Sequence, residues 1–220
     1  MKPVLPIVLA TRNAGKTREI RDLLQGFDVE IKNLDDFGPL PPIEEDGDTF
    51  DENAYKKASL TARNLGLPAL ADDSGLLVDA LDGAPGVLSA RYAGEAASDR
   101  QRCAKLLEAL KDVENRAAAF ECVLSLAVPT GPALTYEGRC EGLICREPAG
   151  DNGFGYDPIF YYPPLNKTFA QLTMAEKSRV SHRGKALGQL RDEFDRVLIW
   201  IRQHMPGPEP IGCMGGRADE

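Results

Sequence analysis

The chain's pattern predicts an α/β protein built on a mixed central sheet with flanking helices. Three observations carry that expectation. Short apolar runs alternate with segments of helical periodicity in the N-terminal half, two longer strand-like runs meet at Pro129-Thr130-Gly131-Pro132, and the chain closes on an amphipathic helical segment. The hairpin adds antiparallel pairing to strand–helix–strand units, and so the sheet is mixed.

Val4 to Ala10 is an apolar run of strand length, followed by a polar loop and then Ile20, Leu23, Leu24 and Phe27 at helical spacing. Asp28 to Leu34 alternates as a second strand, and the proline-rich, acidic stretch Gly38 to Asp48 reads as loop. Thr49 to Leu65 sets Phe50, Ala54, Ala58, Ala62 and Leu65 on one helical face. Pro68 to Leu81 reads as two short apolar runs broken by Asp72-Asp73-Ser74-Gly75. Ser98 and Gln101 have capping-box spacing and open a helix whose stripe includes Leu106, Leu107 and Leu110. Ala118 to Val128 and Ala133 to Cys145 are the hairpin strands, and Gly150 to Asp157 is a glycine-rich loop. One long helix is expected from Ser181 to His204, buried through Leu187, Leu190, Phe194, Leu198 and Ile201. Residues 1–204 are expected to form a single domain, and the Pro- and Gly-containing stretch 205–220 a disordered tail.

The 220 residues carry a net charge of −8, which argues against a general nucleic-acid or anionic-membrane surface. The charge is unevenly spread. Asp28 to Glu52 holds ten acids and one base, whereas Tyr161 to Arg191 holds six bases and one acid. Five cysteines without C-x-x-C spacing suggest neither a disulfide framework nor a zinc knuckle, and two histidines leave no His-rich metal site. The N-terminal apolar run is too short for a signal or membrane span, so a cytoplasmic protein is expected.

Four motifs could carry chemistry. Thr11-Arg12-Asn13-Ala14-Gly15-Lys16-Thr17 joins strand to helix, where helix N–H groups and a lysine suit a phosphate. A P-loop would need glycine where Ala10 stands, and a capped surface helix with an incidental lysine is an equally good reading of this motif alone. Asp72-Asp73-Ser74-Gly75 puts two carboxylates side by side, which is costly unless they are solvated, paired or hold a hard cation such as Mg²⁺; an ordinary polar turn is the alternative. Glu44-Glu45-Asp46 offers a further metal ligand or simply a solvated face. Gly153-Phe154-Gly155-Tyr156-Asp157 presents a ring that could stack on a base, or a tight bend packed with core aromatics. Lys177 to Lys185 concentrates donors for anions or keto oxygens at a helix start, where Gly184 is not explained by a surface helix.

Read together, Leu9 to Lys16, A-D-D-S-G-L-L-V-D-A-L-D-G-A-P-G-V-L-S-A-R-Y-A-G from Ala71 to Gly94, G-F-G-Y-D-P-I-F from Gly153 to Phe160 and E-K-S-R-V-S-H-R-G-K-A-L from Glu176 to Leu187 closely resemble the inosine/xanthosine triphosphate pyrophosphatases, in order from about Val4 to Gln203. The resemblance implies a long mixed sheet with two lobes around a cleft, a homodimer, and Mg²⁺-dependent hydrolysis of purine nucleoside triphosphates to monophosphate and pyrophosphate. It also implies roles by position. Thr11, Asn13 and Lys16, within the loop Thr11 to Lys16 that includes Arg12, Ala14 and Gly15, would hold the triphosphate. Glu44 and Asp73 would bind Mg²⁺, with Asp73 also the catalytic base and Asp72 and Ser74 completing that loop. Phe154, Gly155, Tyr156 and Asp157 would line the nucleoside pocket, and Lys177, His182 and Arg183 would contact the nucleotide. The choice of Glu44 over Glu45 rests on its spacing to Gly47, and Leu88 stands where the family usually has an aromatic residue. A P-loop ATPase or kinase, a non-catalytic nucleotide-binding regulator and a Maf-like pyrophosphatase are the competing classes.

Overall fold

A computed structural model describes residues 4–205. The strand β1 (Leu5–Leu9) leads through a short loop into α1 (Ala14–Leu23), then β2 (Val29–Asn33) and, after the acidic loop, α2 (Phe50–Leu65). Next come β3 (Ala69–Val78), α3 (Asp99–Ala109) and the hairpin β4 (Ala117–Ala127) and β5 (Ala133–Ile144). Two short strands, β6 (Phe160–Tyr162) and β7 (Lys167–Thr168), precede the helices α4 (Met174–Val180), α5 (His182–Asp192) and α6 (Phe194–His204). The seven strands form one sheet in the order β2-β1-β3-β4-β5-β6-β7. β1 pairs in parallel with β2 and β3, and the remaining pairs are antiparallel, so the sheet is mixed as expected.

Strand alternation divides the core. Leu70, Leu124 and Leu126 face α1, α5 and α6, where they pack with Ile20, Leu187, Leu190, Phe194 and Ile201. Ala69, Ala71 and Ala127 face Ala58 and Ala62 of α2, and these small residues bring that helix close to the sheet. Towards the far half of β3 and β4, Leu76 and Phe120 pack with Leu106, Leu110, Phe160 and Phe169. The Ser98–Gln101 capping box opens α3 as its spacing predicts.

Two elements differ from expectation. Asp72-Asp73-Ser74-Gly75 is no turn: all four lie within the ten-residue β3, paired against β4 with Asp73 opposite Val123. Ladder hydrogen bonds satisfy the backbone there, and the carboxylates find cationic partners in place of solvent. The expected single C-terminal helix is two, because Glu193 leaves helical geometry (φ −115°, ψ 15°). The bend lets α6 bury Phe194, Val197 and Ile201 on the same sheet face that α5 covers, with Phe194 4.5 Å from Phe27. Gly184 now has a reason as well. A Cβ there would stand 1.8 Å from the Ser178 carbonyl oxygen, where α4 turns into α5 around Ser181. The described cysteines, Cys103, Cys122, Cys140 and Cys145, are all free. Among the described residues no helix is long and apolar enough to cross a membrane. Most of the expected tail, 206–220, lies outside the described residues.

Candidate active site

Asp72 and Asp73, adjacent on β3, point to opposite faces of the sheet. On the α1/α5 face a chain of buried charges begins at Lys16, whose ammonium pairs with the Asp72 carboxylate and donates to the Asp72 carbonyl at 3.2 Å. Arg183 Nε donates to Asp72 Oδ2 at 2.6 Å, its Nη2 donates to Ser74 Oγ at 2.9 Å, and its Nη1 pairs with Glu19. Lys177 Nζ then bridges Glu19 Oε1 at 3.0 Å and Asp157 Oδ2 at 2.7 Å, and the same Asp157 oxygen accepts from the Phe154 N–H at 2.9 Å. Three carboxylates and three cations alternate along this chain.

Desolvation is the largest influence on each of these acids and disfavours its charge. At Asp72 it is outweighed by Arg183 and Lys16, which hold the carboxyl well below its usual range; Arg183 and Lys177 lower Glu19 in the same way. Asp157, with Lys177 as its main counter-charge, remains above the ordinary value. Burial, then Arg183 and Lys177, push His182 well below the usual histidine range, which favours the neutral imidazole. That ring stacks on Phe120 at 4.6 Å, and its buried Nδ1 has no hydrogen-bond partner among the described residues.

On the α2 face stands Lys57, whose ammonium donates to Asp73 Oδ1 at 2.7 Å and to the Asp72 carbonyl at 2.9 Å, and lies 3.2 Å from Glu45 Oε1. Burial works against the ammonium, but Asp73 and Glu45 more than offset it and keep Lys57 above its ordinary value. Asp73 is raised: desolvation exceeds the attraction of Lys57 and Lys16. Arg91 anchors the acidic loop through the Glu45 carbonyl at 2.8 Å, which sets Glu45 in place.

The aromatic loop closes the arrangement. Phe154 packs directly on Gly15, where a Cβ would approach its ring to 2.6 Å, and Lys177 Nζ lies 4.7 Å from the ring centre. Tyr156 is a buried pillar, its hydroxyl donating to the Ser89 carbonyl at 2.9 Å. The Gly155 N–H donates to Asp99 Oδ2 at 2.7 Å, and Arg102 pairs with Asp99.

A cavity of about 430 Å³ brings Thr11, Arg12, Asn13, Lys16, Asp73, Ser74, Phe154, Gly155, Tyr156, Asp157, Lys177, His182 and Arg183 into one wall. Ala14 lines a neighbouring groove instead, and Gly15 serves as the seat of Phe154. Glu44 is exposed on the acidic loop, while Glu45 lines the cavity and turns towards Lys57. The α1 terminus also differs from the P-loop alternative. Asn13 Oδ1 accepts from the N–H groups of Gly15 and Lys16 at 2.9 and 3.1 Å, the donors that a P-loop would present to phosphate.

Lys57 and Glu19 were not singled out from the sequence. Both carry a recognisable signal: Lys57 interrupts the apolar face of Phe50, Ala54, Ala58 and Ala62, and Glu19 lies one turn after Lys16 beside Ile20.

A cavity walled by lysines, paired carboxylates and a half-buried aromatic ring on an α/β sheet has the chemistry of a candidate polyanion site. The chain belongs to the Ham1 family, whose model matches residues 7–193. It is 65% identical over 195 residues to a dITP/XTP pyrophosphatase of Syntrophobacter fumaroxidans, covering 89% of this chain and 84% of that one. A dITP/XTP pyrophosphatase of Desulfotalea psychrophila is 56% identical, with 93% and 92% covered. Among solved structures, a HAM1 protein from Coxiella burnetii superposes with a TM-score of 0.81 at 48% identity, covering 87% of this chain and 99% of that one.

Proposed function

We propose that the protein hydrolyses non-standard purine nucleoside triphosphates, namely ITP, dITP and XTP, to the monophosphate and pyrophosphate. The observation that carries this reading is Asp73, a carboxylate with raised proton affinity, held beside Lys57 and Glu45 in the same cavity as the Phe154 ring and the Thr11–Lys16 loop. The names of the relatives support it.

In this reading Thr11, Asn13, Lys16 and Lys57 receive the triphosphate, and Asp73 takes a proton from the attacking water. The residues fit Mg²⁺. Glu45 and Asp73 direct hard carboxylate oxygens at one point, which a single ammonium already spans, and Mg²⁺ is commonly held by one or two carboxylates with waters and substrate phosphates. When bound, the ion supplies charge neutralisation and polarises the phosphoryl group. Phe154 gives the base a stacking face. The α5 N-terminus at His182 and Arg183 offers first-turn N–H donors that lack intrahelical partners, which suit a 6-oxo purine and oppose the 6-amino group of adenine. A homodimer, which the resemblance implies, and a cytoplasmic location complete the reading.

Incubation with ITP, dITP, XTP, ATP, GTP and TTP in Mg²⁺, with pyrophosphate resolved from orthophosphate, tests it. Pyrophosphate release from the first three at a kcat/KM at least about tenfold above ATP is expected. Orthophosphate as product, or equal turnover of ATP, overturns it. Gly15→Ala is expected to displace the Phe154 ring and raise KM for ITP by roughly tenfold, since a base–aromatic stack contributes about 1–3 kcal/mol. An unchanged KM would show that the ring does not seat the base.

A further inference from the structure

The geometry points to Lys57 as the resident cation of the carboxylate pair Glu45 and Asp73, exchanged for a divalent ion only when a nucleotide enters. This rests on the reading of those two carboxylates as the metal ligands. An ammonium has three N–H donors and no acceptor. Here two hydrogen bonds go to Asp73 Oδ1 and the Asp72 carbonyl, at 2.7 and 2.9 Å, and Glu45 Oε1 is ion-paired with the same nitrogen at 3.2 Å. The nitrogen therefore sits where those oxygens converge. A divalent ion drawing on the same two carboxylates would meet a positive charge already in place, in a poorly solvated pocket where like charges repel strongly.

Lys57 cannot simply withdraw to solvent. It rises from the sheet-facing side of α2, between the fully buried Ala54 and Ala58, and is itself buried. An ammonium moved off Asp73 in that setting needs a replacement anion. A triphosphate brings one in the same step that brings the metal: its oxygens take the ammonium while the carboxylates take the ion. Charge stays matched on both sides of the exchange. The protein without nucleotide thus binds divalent metal weakly and receives it as the metal–nucleotide complex.

Mn²⁺, whose free fraction is read by electron paramagnetic resonance, tests this on the full chain without nucleotide. Lys57→Gln is expected to tighten Mn²⁺ binding by about tenfold or more, and Lys16→Gln by clearly less, because the Lys16 ammonium is ion-paired with Asp72 and acts on Asp73 only without direct contact. Lys57→Met is read in the same way if the Gln variant does not fold by circular dichroism. Unchanged affinity in the Lys57 variants, or an equal gain in Lys16→Gln, overturns the exchange. Glu45→Gln and Asp73→Asn, titrated with Mn²⁺ and an α,β-methylene analogue of ITP, separate the two levels. Binding as in the unaltered protein would overturn the metal-ligand reading itself. Loss of binding there, with no gain in Lys57→Gln, would overturn the exchange alone.

Discussion

Asp73→Asn is expected to lower kcat for ITP by roughly 10²- to 10⁴-fold, the usual contribution of a positioned general base. The change is close to isosteric. Asn keeps an oxygen for the 2.7 Å contact from Lys57 Nζ, and it removes a carboxylate whose burial already disfavours its charge. Stability should fall by less than in a truncation, because Lys57 keeps the Asn oxygen, the Asp72 carbonyl and the Glu45 carboxylate, which a melting curve beside the kinetics would establish. A folded variant with the kcat of the unaltered protein would remove Asp73 from the chemistry and leave the water to be activated by another group in the cavity.

Arg183→Ala is expected to have the opposite character, a large loss of stability. Its guanidinium pairs with the fully buried Asp72, with Glu19 and with Ser74, and truncation leaves two carboxylates short of their partner. Breaking a buried pair in this way costs about 3–5 kcal/mol. For a chain of this size that lowers Tm by roughly 6–20 °C. Arg183→Lys should recover only part of the loss, because one ammonium cannot reproduce the planar fork that reaches three residues. A Tm within about 2 °C of the unaltered protein in Arg183→Ala would mean that Lys16 and Lys177 can hold Asp72 and Glu19 unaided. Arg183 is therefore first a framework residue. Its direct part in choosing between a 6-oxo and a 6-amino base is limited to the single Nη1 hydrogen not committed to these partners and to its backbone N–H.

The periodic elements were legible in the sequence because each is a local pattern: the alanine stripe of α2, the Ser98 cap and the hairpin around Pro129 to Pro132 all follow from spacing alone. β3 was harder. Two aspartates within an apolar run look like a turn until their partners, Lys16, Lys57 and Arg183, are brought from 56, 16 and 111 residues away. The same distance hid Glu19, whose partners Lys177 and Arg183 lie 158 and 164 positions on. Glu44 and Glu45 are distinguished only by which side of an irregular loop faces inward, and no period governs a loop. Tyr156 lies in the cavity wall with the rest of its motif, and what its motif left unread is the hydroxyl's bond to the Ser89 carbonyl.

The alternation of β3 gives the sheet a use beyond support. Asp72 and Asp73 are neighbours in the chain, yet their carboxylates leave opposite faces of the sheet, so each pairs with a different set of cations. On one side a charge-balanced lattice fixes Lys16, Lys177 and Arg183 along the cavity wall, and on the other Asp73 meets Lys57 and Glu45 in that same cavity. A single peptide bond thus joins the charges that hold the wall in shape to those that are free to exchange.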